Sequence, residues 1–213
     1  MRAAAFIPIK SYSERVPHKN MRLFDGRPLF QWIIDHAQEA GCFSDVFVDT
    51  DCMTVADYAT EQNCLVIRRL PELATNTANG NDLLKYHLSI RPDYDAYFQL
   101  FATAPRLSPA TIAACVKALR DNPENDSILT VTQEVGWYWF AGMPVNFRPG
   151  ILPRSQDARC VVKETTGLYG IRRDSLARYG CRIGANPLMW EVDKEEAVDI
   201  DYDRDFISAS PTR

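Results

Sequence analysis

Short apolar segments alternate along this chain with segments whose apolar residues recur at helical spacing. The first apolar run is AAAFIPI at 3–9, and the next is DVFVDT at 45–50. Between them lies a one-sided apolar stripe that stops before Gly41: Leu29, Trp32, Ile33, Ala37 and Ala40. Alternating strands and helices pack as a sheet covered on both faces. The chain therefore predicts an α/β fold with a mainly parallel, mixed sheet and ligands outside the carboxyl ends of the strands.

The same patterns predict the other elements of the core. Further strands are predicted at 64–69, 94–103, 127–132, 165–171 and within EEAVDID at 195–201, and further helices near 52–62 and 80–90, after Ser108-Pro109, and near 174–179. Aromatic and Pro/Gly-rich segments such as GWYWFAG interrupt the alternation after residue 133. We therefore divide the chain into a core domain, 1–133 and 164–213, and an inserted arm, 134–163.

Composition narrows the class of protein. With 46% hydrophobic and 24% charged residues among 213, the chain can bury one main core. A net charge of -4 argues against general nucleic-acid binding, which needs a broad basic face. The apolar runs are too short to cross a bilayer, and a signal-peptide pattern is absent, so we expect a cytoplasmic protein without membrane contacts. Six dispersed cysteines fit neither a zinc site nor a disulfide framework.

The polar loop after the first strand is unusually basic for an acidic chain. It reads IPIKSYSERVPHKN at 7–20 and contains Lys10, Arg15 and Lys19. With Ser13 and several free backbone N–H groups, such a loop can wrap a polyphosphate. It contains neither Gly-x-x-x-x-Gly-Lys-Ser nor Gly-x-Gly-x-x-Gly. The alternative is a solvated basic loop without a ligand.

Two aspartates, Asp199 and Asp201, stand two positions apart in AVDIDYDRDF. On a strand, both carboxylates would face the same side, and hard oxygen ligands suit Mg2+. The segment therefore predicts a magnesium site. The alternative is an acidic segment before a helix that Asp203 or Asp205 caps.

Several segments, in order along the chain, resemble the acylneuraminate cytidylyltransferase family, which includes CMP-sialic-acid-synthetase-like enzymes and phosphonate cytidylyltransferases. The opening loop resembles the signature Ile-Pro-Ala-Arg-x-Gly-Ser-Lys-x-x-x-x-Lys-Asn, with these residues in register: Ile7, Pro8, Ser13, Lys19 and Asn20. FDGRPL is similar to the family's Gly-Lys-Pro-Leu, RRLPELATNT to its Arg-Pro-x-x-Leu-Ala-x-Asp, and LFATAP to its Pro-Thr-x-Pro. ETTGLYGI and VDIDYDRDF resemble its late strand and its closing Asp-x-Asp.

The resemblance implies a Rossmann-like nucleotidyltransferase fold and transfer of CMP from CTP to an acidic acceptor, with release of pyrophosphate. The implied nucleotide-binding residues are Ile9, Lys10, Ser13, Arg15, Lys19, Asn20, Arg69, Asp82 and Thr103. The implied catalytic residues are Lys10, Arg15, Lys19 and Asp201, with Asp201 as the candidate base and with Mg2+ bound by Asp199 and Asp201. The family also implies a homodimer formed through the arm.

The acceptor is less constrained, because the sequence departs from the family here. Lys10 replaces an arginine, Glu14 a lysine, and Phe101 a glutamine of many sialic-acid enzymes. The family offers two acceptors: a nonulosonic sugar acid, which the arm sequence around Gln156 favours, and a small phosphonate. The implied acceptor-binding residues are Phe101, Arg148, Arg154, Arg159, Thr166 and Tyr169. Lys10 and Glu14 also leave open a non-catalytic nucleotide-binding protein, and a purely structural protein is a further alternative.

Overall fold

The computed structural model describes residues 1–75, 77–152 and 154–209, so the predicted core residues 210–213 lie outside it. The helices are α1 (Leu29–Glu39), α2 (Met53–Glu61), α3 (Gly80–Ile90), α4 (Pro109–Asp121), α5 (Arg173–Tyr179) and α6 (Asp203–Ser208). The strands are β1 (Ala3–Ile9), β2 (Leu23–Phe24), β3 (Arg27–Pro28), β4 (Asp45–Thr50), β5 (Leu65–Arg68), β6 (Ala96–Leu100), β7 (Ser127–Glu134), β8 (Trp139–Phe140), β9 (Met143–Pro144), β10 (Val161–Arg172) and β11 (Pro187–Glu191). The predicted α/β class is confirmed.

One sheet of seven strands has the order β11-β7-β10-β6-β1-β4-β5. β1 pairs in parallel with β4 and β6, β4 with β5, and β7 with β11. β10 runs antiparallel between β6 and β7. The sheet is therefore mixed and mainly parallel, as predicted.

β1 is buried on both faces because its run AAAFIPI contains no charged residue. Side chains at positions 3, 5, 7 and 9 join a core cluster with α1, α2 and α4. Side chains at positions 4 and 6 join a second cluster with α3 and α5. Because successive strand residues point to opposite faces, the apolar run requires helices on both sides of the sheet.

The predicted strand within EEAVDID is wrong. A turn occupies 194–197, and the chain from 198 to 201 belongs to no strand. The edge of β7 beside it is occupied by β11, which the sequence did not predict. The backbone of the acidic segment therefore makes individual hydrogen bonds in place of a strand ladder. Ile200 N donates to Thr103 O at 2.8 Å, and Asp201 N donates to Asp205 Oδ2 at 2.8 Å. Tyr202 N donates to the same carboxylate oxygen, so Asp205 caps α6, and magnesium binding by the preceding aspartates stays a prediction.

The division into a core domain and an inserted arm at 134–163 stays a prediction. β7 and β10 remain paired as far as Glu134 and Val161, so the described residues between them, 135–152 and 154–160, lie outside the main sheet. This arm contains the hairpin β8–β9. Several of its large apolar side chains are exposed: Val135, Trp139, Phe140, Met143, Val145, Ile151 and Leu152.

Two further sequence predictions concern membranes and cysteines. No helix within the described ranges has the length and apolar character needed to cross a membrane. All six cysteines are free, with Cys64 and Cys115 buried and Cys160 exposed.

Two of the three histidines pack inside the fold. His36 Nδ1 lies 2.9 Å from Leu107 O. The fully buried His87 has Nε2 2.8 Å from Asp49 Oδ2. Burial lowers the pKa of both imidazoles below the usual value, so both rings are neutral in the folded protein at pH 7.

We expect the free energy of unfolding to fall as the pH drops below about 6.5. In that range the histidines of the unfolded chain bind protons, whereas the buried rings of the folded protein stay neutral. Each ring contributes at most about 1.4 kcal/mol per pH unit. The free energy of unfolding, measured with urea between pH 7.5 and pH 5, should change less steeply with pH in His36→Gln and in His87→Gln than in the parent protein. The parent protein, unfolded in the same buffers, is the reference for both variants. Equal slopes in the parent protein and both variants would contradict the assignment.

Candidate active site

A cleft of about 410 Å³ opens at the carboxyl ends of β1, β5 and β6. This is the edge at which open α/β sheets bind ligands. Seven of the nine predicted nucleotide-binding residues line it: Lys10, Ser13, Arg15, Lys19, Asn20, Arg69 and Thr103. Its wall also includes Glu14, Asn79, Gly80 and Phe101. The structure thus brings the basic loop together with the segments that follow β5 and β6.

The remaining two predicted nucleotide-binding residues do not line the cleft. Ile9 ends β1 and is buried in the core. Asp82 lies in the first turn of α3, where its Oδ2 accepts from Asn79 N at 3.1 Å and its Oδ1 pairs with Lys85 Nζ at 2.9 Å. These contacts give Asp82 a capping role. A nucleotide-binding role for either residue stays a prediction.

Two cations of the opening loop are paired with one aspartate near the other end of the chain. Lys19 is buried, and its Nζ donates to Ile200 O at 2.8 Å and to Asp201 Oδ1 at 3.1 Å. Arg15 Nη1 donates to Asp201 Oδ2 at 2.7 Å. The single carboxylate of Asp201 therefore bonds two cations of the cleft wall and fixes the 198–201 segment against the loop.

The base of the opening loop is closed by a further contact. Asn20 Nδ2 donates to Lys10 O at 2.9 Å, which joins the two ends of the loop. Thr103 follows β6 and accepts from Ile200 N through its carbonyl. The loop, the end of β6 and the Asp199–Asp201 segment consequently form one bonded unit around the cleft.

Asp199 faces a different group from Asp201. Thr166 Oγ1 donates to Asp199 Oδ2 at 2.9 Å. Thr166 has a φ of 60°, a left-handed conformation that is unusual for a β-branched residue, within an irregularity of the β7–β10 pairing. Burial raises the pKa of Asp199. Within the described part of the chain, no cluster of three or more His, Cys, Asp or Glu side chains could hold a metal ion.

The predicted acceptor-binding residues fall into two groups. Phe101 lines the cleft, and Tyr169 packs edge-on against it with ring centroids 6.1 Å apart. Arg148 and Arg159 instead line a separate cavity of about 650 Å³ in the arm. Arg154 pairs with Asp157 at 2.6 Å. Phe101 is therefore part of the cleft wall with Tyr169 packed against it, whereas Thr166 and the three arm arginines do not line the cleft.

Arg182 is a site residue that the sequence reasoning missed. Its guanidinium carbon lies 3.8 Å from the Tyr169 ring centroid and 5.6 Å from that of Phe101. A Cβ at Gly80, in the cleft wall, would lie 2.9 Å from Arg182 Nη1 and 2.9 Å from Gln99 Oε1, so a larger residue there would displace the ends of these side chains. No carboxylate of the residues described pairs with Arg182. Nothing in the local sequence indicates a stack that depends on β10 and β6.

The comparison with protein families agrees with the geometry. The model of the family described as cytidylyltransferase matches residues 4–179. That range includes the opening loop and the segments after β5 and β6, though not the Asp199–Asp201 segment.

Curated relatives point to the same family. N-acylneuraminate cytidylyltransferase A of Danio rerio is 26% identical over 211 residues, which is 95% of this chain and 49% of that protein. CMP-N,N'-diacetyllegionaminic acid synthase of Legionella pneumophila is 34% identical over 122 residues, 55% of this chain and 53% of that protein. The chain thus spans about half the length of these relatives.

Solved structures share the fold. CMP:2-keto-3-deoxy-manno-octonic acid synthetase complexed with CTP aligns with a TM-score of 0.67 at 19% identity and covers 90% of both chains. A 4-diphosphocytidyl-2C-methyl-D-erythritol synthase from Anaerococcus prevotii aligns with a TM-score of 0.71 at 10% identity, over 98% of this chain and 96% of that one. These alignments confirm the predicted nucleotidyltransferase fold. The family match over residues 4–179 shows that the chain belongs to the cytidylyltransferase family.

Proposed function

We propose that this protein transfers CMP from CTP to an acidic sugar and releases pyrophosphate. The observation that carries the proposal is the cleft in which Arg15, Lys19 and Arg69 lie together, in a chain of the cytidylyltransferase family. Two relatives are named for N-acylneuraminate and N,N'-diacetyllegionaminic acid, which supports a nonulosonic acid as the acceptor.

In this reaction an acceptor hydroxyl oxygen forms a bond to the α-phosphorus of CTP while the bond from that phosphorus to pyrophosphate breaks. Negative charge grows on the phosphate oxygens, and the fixed cations of the cleft stabilise it. Asp201 is the proposed base that accepts the hydroxyl proton. Lys10 lines the same wall and is proposed to contact the phosphates. No covalent nucleophile is required.

The ion pairs of Asp201 suggest how the loop receives a triphosphate. The Arg15 side chain is 53% exposed, whereas that of Lys19 is 9% exposed. An exposed ion pair is weak and exchanges its partner readily. We therefore assign Arg15 as the cation that leaves Asp201 for the phosphates, while Lys19 keeps its contact with Ile200 O. This exchange frees one oxygen of Asp201.

Asp199 and Asp201 are the residues that would hold Mg2+. Proteins bind this ion through one or two carboxylates, with substrate phosphates and water as the other ligands. Because 198–201 is not a strand, the two carboxylates face different groups, and joint binding of the ion would require Asp199 to leave Thr166 and Asp201 to leave Arg15. The bound ion would neutralise charge on the phosphate oxygens.

Arg182 supports an acidic acceptor. A half-buried guanidinium without a carboxylate partner among the described residues is costly unless a ligand supplies the negative charge. Its planar donors suit a carboxylate, and the stack on Tyr169 holds it in one orientation. A small phosphonate, the alternative acceptor, is also negatively charged.

The exposed arm is the proposed surface of a homodimer. Trp139, Phe140, Met143 and Ile151 are each more than half exposed, and apolar side chains gathered on one segment are typical of interfaces. An acceptor role for the arm arginines stays a prediction.

The reaction is tested by mass spectrometry of mixtures that contain the protein, CTP, Mg2+ and a panel of nonulosonic acids and small phosphonates. We expect a CMP conjugate of a nonulosonic acid with an equal amount of pyrophosphate, and loss of both products when a chelator removes the divalent ion. A conjugate formed only with a phosphonate would move the acceptor to the alternative class. CTP binding without any product would contradict the transferase and favour the nucleotide-binding protein.

Arg15→Gln should weaken CTP binding about tenfold, because one charge-assisted contact with the triphosphate is lost. Arg22→Gln is the matched control: Arg22 lies in the same segment and pairs with Asp203, yet it does not line the cleft. Arg22→Gln should change the Kd for CTP by no more than about twofold. Calorimetric titration with CTP measures both variants, and equal losses would show that general charge, rather than the cleft, attracts the nucleotide.

Arg182→Gln should raise the acceptor KM about tenfold and change the Kd for CTP less than about twofold. Arg178→Gln provides the control, since Arg178 stacks on the neighbouring exposed Tyr179. Steady-state kinetics with the acceptor found by the screen measures the change. Weakened CTP binding would place Arg182 on the nucleotide side, and unchanged kinetics would reduce it to a packing residue.

A further inference from the structure

Arg69 is paired with a fully buried carboxylate. Asp49 is on β4, and its side chain is 0% exposed. Its Oδ1 accepts from Arg69 Nε at 2.9 Å, and its backbone carbonyl accepts from Arg69 Nη2 at 2.8 Å. Its Oδ2 lies 2.8 Å from His87 Nε2. Both carboxylate oxygens are therefore engaged, one by an arginine and one by a histidine.

The charges of this group follow from its surroundings. Burial alone would raise the pKa of Asp49, but the hydrogen bond from His87 and the charge of Arg69 together hold it below its usual range. Burial lowers the pKa of His87, so the ring is neutral. A carboxylate only accepts, so the proton is on His87 Nε2 and is donated to Asp49. The group has a neutral total charge and one fixed direction of hydrogen bonding.

His87 is held in place independently of Asp49. Its ring stacks on Phe6 of β1 with centroids 4.5 Å apart and planes 12° apart. Its Nδ1 is buried and has no hydrogen-bond partner within the described ranges. The single polar contact that the ring makes among these residues is therefore the one that orients Asp49.

Arg69 connects this buried group to the cleft. Its side chain is only 3% exposed and still contributes to the cleft wall. Nε and Nη2 are used by Asp49, whereas Nη1 has no partner among the residues described. Arg69 N also donates to Thr50 O at 3.0 Å, which fixes its backbone beside the end of β4. Backbone and side chain are both constrained, which leaves one edge of the guanidinium for a ligand.

We propose that Asp49 and His87 are positioning residues that hold the Arg69 guanidinium in the orientation in which it binds the phosphate chain of the nucleotide. This inference rests on the proposed CTP-dependent function. His87 belongs to α3, whose first residue, Gly80, lines the same cleft. The Asp49–His87 contact therefore fixes the position of the Arg69 side chain relative to α3 as well as to β4.

The proposal is tested by calorimetric titration of the whole chain with CTP and with inorganic tripolyphosphate. Asp49→Asn should weaken CTP binding about tenfold, because the charged half of the contact with Arg69 is lost. His87→Phe keeps a ring beside Phe6 but removes the donor, and it should also weaken binding. His87→Gln can still donate to Asp49 and should restore the affinity to within about twofold of the parent protein.

A double-mutant cycle separates positioning from general stability. In the Arg69→Gln background, Asp49→Asn should cause no further loss of CTP affinity, because Asp49 acts through Arg69. Thermal unfolding of each variant identifies any that fail to fold, and the His87→Phe and His87→Gln pair then provides the same test. Additive losses, or equal affinities of that pair, would overturn the proposal. Binding of tripolyphosphate but not CTP would refute the proposed function and still test the positioning, whereas binding of neither would overturn both.

Discussion

The ammonium group of Lys19 is a charge held almost out of contact with water, and such a charge is stable only beside an opposite one. Its partner, Asp201, comes from the last part of the chain, and the adjacent Ile200 supplies a carbonyl to the same ammonium. Ile200 is itself buried in an apolar cluster with Val16 and Leu29. The opening loop and the closing segment therefore stabilise each other, and the cleft exists because both are in place.

The two sides of the cleft differ in how their charges are compensated. On the nucleotide side, Arg15, Lys19 and Arg69 each have an aspartate partner within the protein. Arg15 and Lys19 share Asp201, so two carboxylates reduce the repulsion among three cations without cancelling it, and a triphosphate would exchange first with the exposed Arg15–Asp201 pair. On the other side, Arg182 stacks on aromatic rings and has no such partner in the described part of the chain. In the proposed reaction, the triphosphate would meet cations that are already paired, and the acidic acceptor would meet the guanidinium of Arg182 stacked on aromatic rings.

Much of the core could be predicted from the sequence because its elements are local patterns. AAAFIPI and DVFVDT are apolar runs bounded by polar residues, and Ser108-Pro109 begins a helix as its chemistry requires. In EEAVDID, the alternation of apolar and acidic residues at 198–201 favours a strand, but a turn occupies 194–197 and β7 pairs with β11 instead. The insertion of β10 between β6 and β7 is a matter of long-range pairing, on which local periodicity carries no information.

The same limit applies to the site. Loop residues such as Lys19 were found by motif, whereas Asp49, His87 and Arg182 act through contacts between distant elements.

A crystal structure of the protein with CTP would show whether the cleft around Lys19 binds the triphosphate. We expect phosphate oxygens within hydrogen-bonding distance of Lys19 and Arg69, with Arg15 turned from Asp201 toward the phosphates. CTP bound elsewhere, for example in the arm cavity beside Arg148 and Arg159, with the Arg15–Asp201 pair intact, would contradict this proposal.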